Sequence, residues 1–189
     1  MMQEFHEQLA SQGLSAATVN IGSRRGAGSR SPTKHKTYYQ SQDFPALGVL
    51  IMRESASVAV GLSELAAEIN NYAKLAAVGF RVPELWSAQQ YVDQITGQGP
   101  VAALIIEHID GPGPWKASTQ YRSLMRRANA LPETARDRAK ADWIALQAAC
   151  AKASPGDWQI MLRNDGALFT IDPEYVTSCP VTLPAWIEP

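Results

Sequence analysis

Three oxygen-bearing side chains, Asp157, Gln159 and Asp172, are spaced for divalent-metal and phosphate chemistry. Two carboxylates and an amide oxygen are hard ligands of the kind Mg²⁺ shares with phosphate. Between Gln159 and Asp172 run a short apolar stretch, Ile160-Met161-Leu162, then Arg163-Asn164-Asp165-Gly166, then a second apolar stretch, Ala167 to Ile171. Asn, Asp and Gly tolerate the positive φ that tight turns need. The pattern predicts a hairpin that brings its polar entrance, Asp157 with Gln159, and its acidic exit, Asp172, to one edge.

Phosphoryl transfer from a nucleotide requires backbone donors around the phosphates, a cation on them, a metal held by oxygen ligands, and an acid that orients or deprotonates the incoming hydroxyl. The chain offers a candidate for each, in chain order. Gly22, Gly26 and Gly28 fall in a basic Gly/Ser-rich stretch after an apolar run, where exposed amides could cradle phosphate. Arg53 closes the run Val49-Leu50-Ile51-Met52, and Lys34 or Lys36 is the alternative cation. Glu68 sits mid-helix and could orient that cation. Glu107 to Ile109 ends a further apolar run and would link two lobes. Each residue also has a purely structural reading: Asp172 as a turn residue before Pro173, Asp157 as a cap, Glu68 as a solvated helix face.

Hydrophobic periodicity outlines the elements that must position these groups. Residues 1–20 read as a short helix and then a strand, and 22–37 as a loop. Strands follow over 36–40 and 47–53. Leu62, Leu65, Ala66, Ile69, Tyr72, Ala73, Leu75 and Ala76 recur at helical spacing, with Ser63 available as cap and Gly79 as terminator. Val82 opens another strand, and Val101 to Ile109 reads as a central one, stopped by Gly111-Pro112-Gly113-Pro114. Residues 118–129 and 133–153 are helical by pattern, and the hairpin follows. Prolines at 173, 180, 184 and 189 leave little room for further helix. There is no internal repeat. The order predicts an α+β, two-lobed layout, with residues 1–109 as a β-rich nucleotide-binding lobe and 110–189 as a small helical lobe carrying the hairpin.

Composition narrows the classes. At 189 residues, 46% hydrophobic and 19% charged, the chain can build a core. A net charge of -1 argues against nucleic acid or a membrane surface as partner, although Arg24, Arg25, Arg30, Lys34 and Lys36 cluster without an acid among them. Cys150 and Cys179 read as free thiols, with a single bridge as the alternative. His6, His35 and His108 lack zinc spacing, and no Gly-x-Ser-x-Gly elbow supports acyl transfer. No apolar run reaches membrane-spanning length, and the first thirteen residues lack a signal-peptide core.

These residues together resemble the protein-kinase-like fold. Glu68 to Pro83 is similar to the passage from the regulatory helix to the next strand in that family. Leu104-Ile105-Ile106-Glu107-His108-Ile109 before Asp-Gly-Pro resembles its hinge. Asp172 lies 13 positions after Gln159, similar to the family's spacing from metal-binding amide to metal-binding Asp. The resemblance implies ATP and Mg²⁺ as cofactors, with Gln159 and Asp172 on the metal. It puts adenine near Glu107 and Ile109, phosphates under Gly26 and Gly28, and Arg53 with Glu68 on the α- and β-phosphates. The family's catalytic Asp stands five residues before the amide. Ser154 occupies that position, so Asp157 either acts as base from a shorter loop or binds metal. The chain is also similar to the minimal kinases that some bacteria inject into eukaryotic cells by type III secretion. That implies a monomer delivered to the host cytoplasm, or otherwise cytoplasmic, whose substrate is a hydroxyl on a host protein such as a heat-shock chaperone. The alternatives are a non-catalytic kinase-like binding module and a small-molecule phosphotransferase of the antibiotic or choline type.

Overall fold

The computed structural model describes residues 21–24, 36–41, 45–52, 57–91 and 100–188. The expected N-terminal helix, Gly26, Gly28, Lys34 and Arg53 lie outside these residues. The architecture is α+β. The chain divides into two units, one of residues 1–67 and 84–108, the other of residues 68–83 and 109–189. The stretch 68–83, expected with the earlier lobe, groups with the later unit.

In the earlier unit, β1 (Ile21–Arg24), β2 (Lys36–Ser41), β3 (Leu47–Met52), β4 (Leu85–Tyr91) and β5 (Val101–Glu107) form an antiparallel sheet in the order β1-β2-β3-β5-β4. Its interior strands are the apolar ones: Val49, Ile51 and Ala103 to Ile105 are fully buried. A strand covered on both faces reads as a continuous apolar run, which is why β5 lacks alternation. Gly22 lies inside β1 and not in the loop where a phosphate cradle was expected.

Helix α1 (Val58–Val78) starts ahead of the expected Leu62. Its cap is Ser57, whose Oγ accepts the Val60 N–H at 3.2 Å, while Ser63 lies within the helix. The far end closes as expected at Gly79, with φ 105. The Gly79 N–H bonds Ala76 O and the Phe80 N–H bonds Leu75 O, and Leu75 and Phe80 pack in one core. This double closure satisfies carbonyls the helix would otherwise leave orphaned.

The later unit is built on α2 (Tyr121–Asn129) and α3 (Glu133–Cys150). Ala135, Ala139, Trp143, Leu146 and Ala149 place one face of α3 in the core at helical spacing. Leu75, Leu124, Met125, Ile160 and Leu162 join that core. Two small sheets complete the unit. One has the order β6-β8-β9, from Trp115–Lys116, Gln159–Leu162 and Leu168–Ile171; the other pairs β7 (Ser154–Gly156) with β10 (Tyr175–Thr177). Both cysteines are free thiols; burial pushes that of Cys150 up to about 12, and Cys179 is exposed. No helix among the described residues is long and apolar enough to cross a membrane.

Candidate active site

The Asn-Asp-Gly segment makes the predicted hairpin. The Gly166 N–H bonds Arg163 O at 3.0 Å, the Arg163 N–H bonds Ala167 O at 2.8 Å, and Gly166 takes φ 88. Asp165 Oδ1 accepts the Ala167 N–H at 3.1 Å, and Arg138 Nη1 lies 2.8 Å from Asp165 Oδ2. Burial alone would raise the Asp165 pKa, but the Ala167 N–H and the Arg163 and Arg138 guanidiniums outweigh it and hold the carboxyl below its ordinary value. The outer edge of β9 is covered: the Thr170 N–H bonds Arg81 O and the Leu168 N–H bonds Asp142 Oδ2, itself ion-paired to Arg81 at 2.7 Å.

Register places one candidate, Gln159, in a row with two residues the sequence did not single out. Lys116 stands opposite Gln159 in the β6–β8 ladder, and Gln159 opposite Ile171 in the β8–β9 ladder. Paired residues share a face of the sheet, so Lys116, Gln159 and Ile171 cross one face side by side. The next row on that face, Met161 with Phe169, joins Ile109 and Ile171 in an apolar cluster. Ile109, expected near adenine, is thus packed on the hairpin's apolar face.

Asp157 and Asp172 flank this row at two corners. Asp157 lies between β7 and β8, and Asp172 between β9 and β10. The β7–β10 ladder pairs Gly156 with Tyr175, and the Glu174 N–H bonds Gly156 O at 3.1 Å, so the two corners are tied together. Both aspartates adopt left-handed backbone, φ 42 and 53. Asp is among the few non-glycine residues that adopt it readily, and neighbouring backbone hydrogen bonds hold both corners here. Asp157 Oδ1 accepts from Lys116 Nζ at 3.0 Å. The Asp172 N–H bonds Tyr72 Oη at 2.9 Å, and Asn71 Nδ2 donates to Glu174 O at 3.1 Å. Asn71 and Tyr72 lie three and four positions after Glu68 on α1, which sets all three on one helix face. Glu68 is buried, at 8% exposure.

Mg²⁺ usually keeps several waters and takes one or two carboxylates along with substrate phosphate. One carboxylate, Asp172, and one amide oxygen, Gln159, at the same end of a hairpin fit that demand. Among the described residues no three His, Cys, Asp or Glu side chains gather into a metal site, as a fully protein-caged ion would need.

Of the remaining candidates, Lys36 sits opposite Met52 in the β2–β3 ladder. Glu107 is buried, and its Oε2 accepts the Glu84 N–H at 3.0 Å while its own N–H bonds Glu84 O, so its carboxylate is engaged by neighbouring backbone. Sequence spacing missed Lys116, Asn71 and Tyr72. Lys116 is 41 positions from Asp157 and Tyr72 is 100 from Asp172, and only the fold brings such pairs together.

No protein-family model matches the chain, and no curated protein matches it. Among solved structures, the crystal structure of WbdD aligns over 85% of this chain and 34% of its own, at 13% identity and a TM-score of 0.42. The chain spans about a third of the length of WbdD. So loose a likeness carries no argument about activity, which must rest on the chain's own geometry.

Proposed function

We propose that this chain is an ATP- and Mg²⁺-dependent phosphotransferase of protein-kinase-like architecture that acts on a protein hydroxyl. The observation that carries the reading is the row Lys116, Gln159, Ile171 flanked by the left-handed Asp157 and Asp172. An amide oxygen, two carboxylates and a cation at one end of a hairpin are what positioning and charge stabilisation of a phosphoryl group require.

Asp172 and Gln159 would hold Mg²⁺, which neutralises phosphate oxygens when bound. Asp157 orients the acceptor hydroxyl and takes its proton as the hydroxyl oxygen bonds to the γ-phosphorus. The bond from that phosphorus to the β–γ bridging oxygen breaks, and ADP leaves. Lys116 fixes the Asp157 carboxylate. Tyr72 and Asn71 hold the backbone from Asp172 to Glu174. Lys36 and Glu107 keep their nucleotide roles on the sequence resemblance alone.

The finer reading, also from that resemblance, is a bacterial effector delivered into a host cell, with the ninety-kilodalton heat-shock chaperone as acceptor. Radiolabelled ATP with Mg²⁺ in a eukaryotic lysate tests both levels. A labelled protein band with wild type, absent with Asp172→Ala, supports the phosphotransferase; its identity decides the acceptor. Failure of wild type to bind ATP by calorimetry overturns the reading in favour of a non-catalytic module, and label entering small molecules but no protein overturns the protein acceptor.

A further inference from the structure

Helix α2 carries Arg122, Arg126 and Arg127 and no acid. All three are exposed. Arg122 leans on its neighbour Tyr121, with Nε 3.3 Å from the Tyr121 hydroxyl. Arg126 and Arg127 make no ion pair among the described residues. Beside Arg122 and Arg126 opens a cavity of about 630 Å³, whose lining also includes Met125, Asn129, Ile187 and Glu188. Its floor is apolar, and Ile187 is left 44% exposed. The single acid at its rim, Glu188, is already neutralised by Lys140.

The adjoining surface displays what it accepts. Residues 179–188 run without helix or strand along α2 and α3. Side-chain donors take their carbonyls: Gln147 Nε2 and Trp143 Nε1 bond Pro184 O at 2.8 and 3.0 Å, and Asn129 Nδ2 bonds Ile187 O at 2.8 Å. Lys140 takes the Glu188 carboxylate. One face thus holds a peptide by its carbonyls and its acid, and the arginine-rimmed cavity adjoins Ile187 and Glu188 of that peptide.

We infer that the cavity beside α2 is a docking site for an acidic peptide segment of a partner protein, with carboxylates on Arg122 and Arg126 and an apolar side chain on Met125 and Ile187. Charge complementarity selects the acid, and the apolar floor selects a peptide over a bare anion. The site is separate from Asp157, Gln159 and Asp172, so it stands or falls apart from the phosphotransferase reading.

Fluorescence anisotropy on the full chain tests it, with a labelled peptide alternating Glu and Leu, the same peptide with Lys for Glu, and a single-stranded oligonucleotide. Wild type should bind the Glu peptide and not the Lys peptide. Arg122→Glu with Arg126→Glu should weaken binding roughly tenfold, with an unchanged circular dichroism spectrum, since two exposed charge contacts are reversed. Lys152→Glu and Asp172→Ala should leave it unchanged. Should the double variant fail to fold, Arg126→Gln alone should weaken binding about threefold. Equal binding of the Lys peptide overturns the proposal, as do insensitivity to the arginine changes, an equal loss in Lys152→Glu, and equal binding of the oligonucleotide.

Discussion

Tyr72, in the middle of α1, accepts the backbone N–H of Asp172 at 2.9 Å. A residue of α1 thereby holds the acid proposed for the metal, at a left-handed backbone conformation with φ 53. Tyr72 is 2% exposed, so its hydroxyl has little access to water. Tyr72→Phe deletes the acceptor and leaves the ring. The expected cost is about 1 kcal/mol of stability, read from the urea midpoint at unchanged slope. Phosphotransfer should fall further than stability does, because Asp172 loses its anchor. A variant as stable and active as wild type would remove Tyr72 from this role.

The turn makes a steric prediction. Gly166 has φ 88, and a Cβ there would lie within 1.8 Å of Ala135 O; Gly79 has φ 105 with nothing within 4 Å of a Cβ. Gly79→Ala should therefore cost only the conformational penalty, about 1 kcal/mol. Gly166→Ala adds a collision with helix backbone that no side-chain rotation relieves, and should exceed about 3 kcal/mol. Paired urea melts decide it, and equal losses would contradict the geometry.

Asp165 gives the turn a pH dependence. Its carboxyl is held below the ordinary value of 3.8, so its stabilising contribution is present above that value and is lost as pH falls through the lower folded value. The side chain is 42% exposed, and solvent screening keeps the effect within about 1 kcal/mol. Asp165→Asn should melt below wild type at pH 7, and the gap should close as pH drops below 3.8. A gap that is constant with pH would show that the charge of Asp165 is not what stabilises the turn.

What the sequence made legible was local. Asn164-Asp165-Gly166 announces its hairpin because turn chemistry lies in consecutive residues. Gly79 announces the end of α1 for the same reason, and the apolar run over 101–107 announces an interior strand. The start of α1 is not legible because Val58 to Gly61 carries no polar–apolar contrast, and Ser63 competes in the sequence with Ser57, the residue that caps the helix. Lys116 was invisible because β6 has only two residues, too short for periodicity, and its meaning comes from pairing with β8. The left-handed corners at 157 and 172 were equally hidden, since their conformation is imposed by the β7–β10 ladder and by Tyr72.

Lys116 and Asp157 separate a structural ion pair from a working one. Their side chains are 51% and 42% exposed, so the 3.0 Å pair should contribute under about 1 kcal/mol to folding. Lys116→Ala should leave the melting temperature within a degree or two and still lower phosphotransfer, because Asp157 loses the cation that orients it. The exchange Lys116→Asp with Asp157→Lys restores opposite charges at the same two positions. If the pair is merely structural, the exchanged chain works as well as wild type. If Asp157 serves the acceptor hydroxyl, the exchange rescues stability and leaves transfer as low as in Asp157→Ala, since a lysine at the corner is protonated near neutral pH and cannot accept the proton. Melting curves and radiolabel transfer on the same four preparations distinguish the two outcomes.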